Sequence, residues 1–203
     1  MSNPGALPFR RAIKRLYKIV SAMYNDSILI LEGSEDLATD VVDRDEEADK
    51  LQWFIERQFN MMLEDSSLSR KLKASSFEGV VYSNVARYLE RIADHACRFA
   101  EVGYVAGLIP GRKMLPLARE ASEILKDAMK SFINNDPRKA TVVIDKGKKT
   151  VRKAQTYFEN RYKKEMDHPL EFSIAMDAIM RTIAYSTDIS EAAINYSAKM
   201  GNK

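Results

Sequence analysis

The stretch SSFEGVVYSNVARYLERIADHACRF, residues 75–99, decides the fold class of this chain. Its apolar side chains recur every three or four residues, which is the period of an amphipathic α-helix. They are Val81, Val85, Tyr88, Ile92, Ala96 and Phe99. Ser75 and Glu78 have the spacing of a capping box, in which each side chain accepts from the other residue's backbone N–H. We therefore predict a long helix that begins at Ser75 and Ser76.

The same period continues on both sides of this stretch, and only 8 Gly and 6 Pro residues interrupt it. The helices that we predict cover about 8–31, 35–64, 75 onward, 115–133, 136–164 and 168 onward. Glycines cluster at 103–111, with three predicted helices before the cluster and three after it. We therefore predict an all-α protein of six helices in two three-helix repeats, residues 1–110 and 111–203.

The composition is that of a globular protein, with 45% hydrophobic and 30% charged residues. The net charge of +3 is too small to indicate nucleic-acid binding by itself. Cys97 is the only cysteine, so no intramolecular disulfide forms, which fits a reducing compartment. No apolar run approaches the roughly 20 residues that span a bilayer, and the start has no signal-peptide core. We expect a cytoplasmic protein.

Two pairs of acidic residues stand one helical turn apart, Asp45 with Asp49 and Glu90 with Asp94. If the two helices face each other, they offer four carboxylates, a donor set that suits Mg²⁺, Mn²⁺ or Ca²⁺ and, less specifically, iron. Other acidic pairs with this spacing occur along the chain, and Arg87 and other basic residues lie close by. Spacing alone therefore carries almost no information about metal binding, and a salt-bridged solvent face stays open as the alternative.

Charge is unevenly distributed along the chain. Residues 32–49 hold nine acidic residues and one Arg, whereas 138–153 hold seven Lys or Arg and one Asp. These segments are either two solvated helix faces or two docking surfaces of opposite sign, for a partner protein or a second subunit. There is no glycine-rich phosphate loop, nucleophile elbow or zinc-ligand spacing. The patterns for common catalytic sites are thus absent from the sequence.

Four stretches together resemble the PhoU family of phosphate-uptake regulators, and most of all its archaeal branch. They are LYKIVSAMYNDS (16–27), VVDRDEEADKLQWFIERQ (41–58), RYLERIADHA (87–96) and YSTDISEAAIN (185–195). The resemblance covers about residues 10–198. It implies two similar three-helix bundles related by pseudo-symmetry. It also implies a Glu/Asp-x-x-x-Asp metal motif on two helices of each half.

In the first half, all four positions of the implied metal motif are acidic: Asp45, Asp49, Glu90 and Asp94. The resemblance therefore implies a site there for a divalent or transition-metal ion, with Fe, Mn, Mg and Zn as the candidates.

In the second half, Asp145 and Asp188 match the motif, but Lys149 and Ala184 replace the other two acids. A protonated lysine cannot ligate a metal. We expect that second site to be lost or filled by the Lys149 amine. Arg87 and Arg181 occupy matching positions of the two halves and are the first candidates for binding phosphate, another anion or a docking partner.

The resemblance implies a non-enzymatic adaptor of phosphate homeostasis. Such an adaptor docks on the ATPase of a phosphate ABC transporter or on a signalling kinase, and forms a homodimer. It touches no nucleic acid directly and reaches the membrane only through the transporter. Two alternatives stay open: a metal-dependent phosphohydrolase that uses the four carboxylates, and a transcriptional regulator that binds DNA through the Lys-rich fifth helix.

Overall fold

A computed structural model describes residues 7–104, 113–163 and 167–200 of the chain, and this part contains helices and no strand. The helices are α1 (Phe9–Leu31), α2 (Ala38–Glu64), α3 (Ser66–Leu72), α4 (Ser76–Tyr104), α5 (Met114–Ile133), α6 (Pro137–Tyr162) and α7 (Pro169–Met200). A 3₁₀ turn, Glu35–Leu37, precedes α2. The prediction of an all-α chain is confirmed, but these residues form seven α-helices and not six.

The short helix α3 is the one that the sequence prediction missed. The Asp65 carboxylate caps it by accepting from the Ser67 backbone N–H at 2.7 Å. It ends at Lys73, whose φ of 51° lies in the left-handed region. Leu68 and Leu72 are buried. Seven residues make about two turns, too few for an apolar period to stand out from the loop composition around it.

The predicted starts of two other helices are confirmed with their caps. At α4, Glu78 Oε2 accepts from the Ser75 backbone N–H at 2.8 Å, and Ser75 Oγ accepts from that of Glu78 at 3.3 Å. At α6, Asp136 accepts from the Lys139 backbone N–H at 2.9 Å, and Pro137 is the first helical residue. These capping signals depend only on residues close together in the chain, so the sequence could predict them.

The two halves share one core. Helix α1 packs against α2, α4 and α5, and α7 packs against α4, α5 and α6. Tyr24 of α1 is fully buried, and its hydroxyl faces Thr182 of α7. The ring of Tyr82 on α4 lies 5.4 Å from that of Phe132 on α5 and 6.2 Å from that of Tyr196 on α7. Helices α2 and α6 therefore flank a centre built by α1, α4, α5 and α7.

The pattern of buried and exposed residues repeats between the two halves when their helices are aligned in one register. When Ala48 of α2 is set against Gly147 of α6, both of these residues are buried and three further buried pairs coincide. The buried pairs are Val41 with Ala140, Leu51 with Thr150 and Ile55 with Ala154. In the same way, Val85, Leu89 and Ile92 of α4 match Ile179, Ile183 and Ser186 of α7. This agreement supports the predicted repeat, although the division at residue 110 stays a prediction.

None of the helices in the described ranges has the length and apolar character that a bilayer crossing needs.

Candidate functional site

The four acidic residues predicted as a metal site do lie together, on the facing sides of α2 and α4. Burial raises the pKa of Asp45, and the negative charges of Asp94 and Asp49 raise it further. The pKa values of Asp49 and Glu90 are also raised, mainly by burial and next by the negative charge of Asp94. All four are partly buried. Because the negative charge of Asp94 disfavours ionisation of Asp45, Asp49 and Glu90, a cation at this place would be stabilising.

One oxygen of this cluster stands out. Asp45 Oδ1 is buried and meets no partner at hydrogen-bond distance among the described residues, although the Cys97 thiol interacts with this carboxyl group. A buried carboxylate oxygen without a partner is costly, and a metal ion is one group that could satisfy it. Cys97 is adjacent, with its Sγ 3.8 Å from the Val41 carbonyl. Burial and the Asp45 charge raise the pKa of this thiol to about 12, which favours its protonated form when no metal ion is bound.

An arginine occupies the other side of the cluster. Arg91 Nη1 lies 3.3 Å from Asp94 Oδ2, and Arg91 Nε lies 3.6 Å from Glu90 Oε2. Within the described ranges, no three His, Cys, Asp or Glu side chains are placed so that they could hold a metal ion. The oxygen donors thus fit a hard divalent cation in chemistry, but their arrangement holds Arg91 instead. Metal binding here stays a prediction.

The second half differs from the first at this place. Asp188 of α7 faces α4, because its charge is among the causes, after burial, that raise the pKa of Tyr88. Asp145 of α6 is exposed and lines a groove with Glu120 of α5. No hydrogen bond or ion pair joins Asp145 to Asp188 in the described structure. The structure therefore brings the first-half acids together and leaves these two apart.

The shared burial register explains this separation. It sets Ile144 and Lys148 at the positions of Asp45 and Asp49, and Asp145 at the position of the exposed Glu46. The sequence comparison had paired Asp45 with Asp145, one residue away from the register that packing favours. At Gly147, which takes the place of Ala48 in this register, α6 lies so close to α7 that an added Cβ would overlap Thr187 Cγ2.

In that register, Ala184 takes the place of Glu90, and only Asp188 keeps a carboxylate. The residues of the second half therefore do not fit a metal ion.

Arg87 and Arg181, the candidates for an anion or a docking partner, lie at matching positions and are both exposed. Arg87 Nη2 pairs with Glu56 Oε1 of α2 at 3.0 Å, and Arg181 Nε pairs with Asp177 Oδ1 at 3.5 Å. Surface ion pairs of this kind are weak, and an anionic ligand could exchange for them. Their role in binding stays a prediction.

The unequal charge of the sequence lies on the two flanking helices. Exposed acids of residues 32–46 form a surface that we call the acidic face: Glu32, Asp36, Asp40, Asp43 and Glu46. Glu32 pairs with Arg119, and Glu46 pairs with Lys50 at 2.7 Å. No described partner pairs with Asp36 or Asp43. Helix α6 carries the basic surface, and its Lys and Arg side chains also line a groove against α5 that the sequence analysis did not foresee.

His95 is a packing residue of the α4–α7 contact. It is buried, and its ring lies 6.1 Å from that of Tyr185. Burial lowers its pKa, which favours the neutral imidazole.

Comparison with known proteins gives a match to one family model and matches to solved structures. The model of the PhoU domain matches residues 13–103, which span α1 to α4. The crystal structure of PhoU from Pseudomonas aeruginosa superimposes with a TM-score of 0.74 and 18% sequence identity, covering 95% of this chain and 96% of that chain. No curated protein matches this chain by sequence. The family match thus covers the first half, and the shared fold extends over both.

Proposed function

We propose that this chain is a PhoU-domain protein, and that it adjusts phosphate uptake as a non-enzymatic cytoplasmic adaptor that docks on a transporter ATPase or a signalling kinase. The family match over residues 13–103 carries the proposal, because PhoU proteins are regulators of phosphate uptake and not enzymes. The fold match over 95% of the chain supports it.

Docking requires exposed surfaces with a defined charge, and the chain offers two. The acidic face lies at the start of α2, and its Asp36 and Asp43 are exposed without an ion pair among the described residues. A partner with a basic surface would be attracted to it and oriented by it, which raises the association rate and excludes acidic partners. The basic surface of α6 has the opposite preference. A second copy of this chain could pair one surface with the other, which is consistent with a homodimer.

The four carboxylates between α2 and α4 would hold a metal ion in this proposal. Asp45, Asp49, Glu90 and Asp94 supply the oxygen donors, and Arg91 must leave Glu90 and Asp94 for them to converge. A divalent ion, when bound, supplies the positive charge that offsets their mutual repulsion. Its role would be to brace α2 against α4, and so to fix the position of the acidic face.

Phosphate uptake in cells that lack this protein tests the proposal. We expect uptake of labelled phosphate to stay high in phosphate-rich medium, and the wild-type chain to restore repression. Uptake that is the same with and without the protein, at every phosphate concentration, would refute a regulatory role.

The docking surface is tested with the purified transporter ATPase from the same organism. The variant Asp36→Asn/Asp43→Asn should bind it about 3- to 30-fold more weakly than the wild type, with a reduced salt dependence. The matched control Glu159→Gln/Glu191→Gln removes the same charge from exposed positions of α6 and α7. Equal weakening by both variants would show a net-charge effect and no specific docking by the acidic face.

A further inference from the structure

A groove lies between α5 and α6 in the second half of the chain. Its volume is about 610 Å³, which lies within the range of small-molecule sites in proteins. Lys113, at the start of α5, lines one wall, and Lys149, Arg152 and Lys153 of α6 line the other. Pro116, Leu117 and the ring of Tyr157 supply apolar surface. The groove therefore combines a cationic part with an apolar part.

The cationic part has more positive charge than the chain itself neutralises. Glu120 is the single acidic residue of the groove, and its Oε1 already accepts from Thr150 Oγ1 at 2.7 Å and pairs with Lys153 Nζ at 3.5 Å. Lys113, Lys149 and Arg152 have no ion pair with any described residue. Arg152 and Lys153 also follow Lys149 by three and four residues, so each of them lies beside Lys149 on α6 and repels it. An anion with several charges would relieve this repulsion.

The apolar part favours an anion that carries a ring over a bare inorganic one. Tyr157 is held in place from behind by Phe172 of α7, with the ring centroids 5.9 Å apart in an edge-to-face arrangement. Thr156 and Asn160 add hydrogen-bonding groups beside it. An inorganic phosphate would leave this surface in water, whereas a base and sugar would cover it.

The groove is particular to the second half. In the shared burial register, Arg152 and Lys153 correspond to Trp53 and Phe54 of α2. The basic wall is therefore not a general property of the repeat.

We propose that this groove binds a nucleoside diphosphate, with the phosphates held by Lys113, Lys149 and Arg152 and the base lying against Tyr157. A diphosphate spreads its charge over several oxygens, so it can accept from all three cations at once. Nucleotide binding here does not require the adaptor role, although Lys149 and Arg152 lie on the same helix as the basic surface. It would allow the protein to respond to a nucleotide as well as to phosphate.

Titration calorimetry with ADP, inorganic pyrophosphate and adenosine tests this site on the full chain. ADP should bind best. Pyrophosphate tests the anion without the base, and adenosine tests the base without the anion; we expect each to bind at least about 10-fold more weakly than ADP. Lys149→Gln/Arg152→Gln should weaken ADP binding by about 10- to 100-fold, since it removes charge-assisted hydrogen bonds. Circular dichroism and thermal unfolding check that this variant is folded.

The matched control is Arg138→Gln/Lys148→Gln, which removes the same charge from exposed positions of α6 outside the groove. It should bind ADP within about 3-fold of the wild type, because these charges act only through screened long-range attraction. No ADP binding, equal affinities for ADP and pyrophosphate, or an equal loss in both variants would each overturn the proposal.

Discussion

The substitution Gly147→Ala tests whether the contact of α6 with α7 decides the register of the second half. A Cβ at Gly147 would overlap Thr187 Cγ2, whereas Ile183 Cγ2 would lie at 3.4 Å, an ordinary contact. Alanine favours the helix over glycine by about 1 kcal/mol. Overpacking of a close contact costs about 1–3 kcal/mol, and the overlap here puts the cost at the upper end. We expect a net loss of about 2 kcal/mol in the free energy of unfolding.

The background Thr187→Ser isolates the cause. Serine removes only the methyl group and keeps the hydroxyl, which donates to the Ala184 carbonyl at 2.6 Å. In this background, Gly147→Ala should stabilise the protein by about 1 kcal/mol, because the overlap is gone and the gain in helix propensity remains. The two substitutions should therefore couple by about 3 kcal/mol, the upper end for residues in contact.

Urea denaturation of the four proteins measures this coupling. Thermal unfolding gives the same result as a shift of about 2–4 °C per kcal/mol for a chain of this size. If Gly147→Ala destabilises the protein equally in both backgrounds, Thr187 is not the obstacle. The close contact at Gly147 would then not account for the register that sets Lys148 at the position of Asp49.

Three further predictions concern the carboxylate cluster and a helix cap. Because burial, Asp94 and Asp49 raise the pKa of Asp45 in the folded state, its ionised form lowers stability above that pKa, and the penalty disappears as the pH falls through it. Asp45→Asn should therefore stabilise the protein at pH 8 and lose this advantage at about pH 4, near the pKa of an aspartate in the unfolded chain. Urea denaturation at both pH values measures the gain in the free energy of unfolding. A gain at pH 4 that equals or exceeds the gain at pH 8 would contradict the prediction. Mn²⁺ at 100 times its dissociation constant should raise the free energy of unfolding by about 2.7 kcal/mol. Asp94→Asn should abolish this stabilisation, whereas Asp188→Asn should leave it unchanged. If elemental analysis finds no Mn²⁺ retained by the protein, the metal site is refuted. Ser75→Ala should cost about 1 kcal/mol by removing the cap of α4, and unchanged urea denaturation would show that the cap contributes nothing.

The helices were predictable because their signals are local. The apolar period, the capping box at Ser75 and the Asp136–Pro137 start depend only on residues within a few positions of one another. The short helix α3 escaped prediction because two turns contain too few apolar residues to show a period. The acidic pairs were also visible in the sequence, since residues four apart share a helix face.

The tertiary structure decided what these pairs do. Packing of α2 on α4 brings Asp45 and Asp94 together, and it also places Arg91 against Glu90 and Asp94. The groove beside α6 likewise requires the start of α5 to lie across from Arg152.

By itself, the sequence determined the fold class, the starts of the capped helices and the residues with the potential to bind metal. It misaligned the halves by one residue, because matching letters paired Asp45 with Asp145, whereas packing pairs Ala48 with Gly147. A helix rotates by about 100° per residue, so one position separates a buried side chain from an exposed one. The pattern of burial in the folded chain therefore sets Lys148, and not an acid, at the place of Asp49.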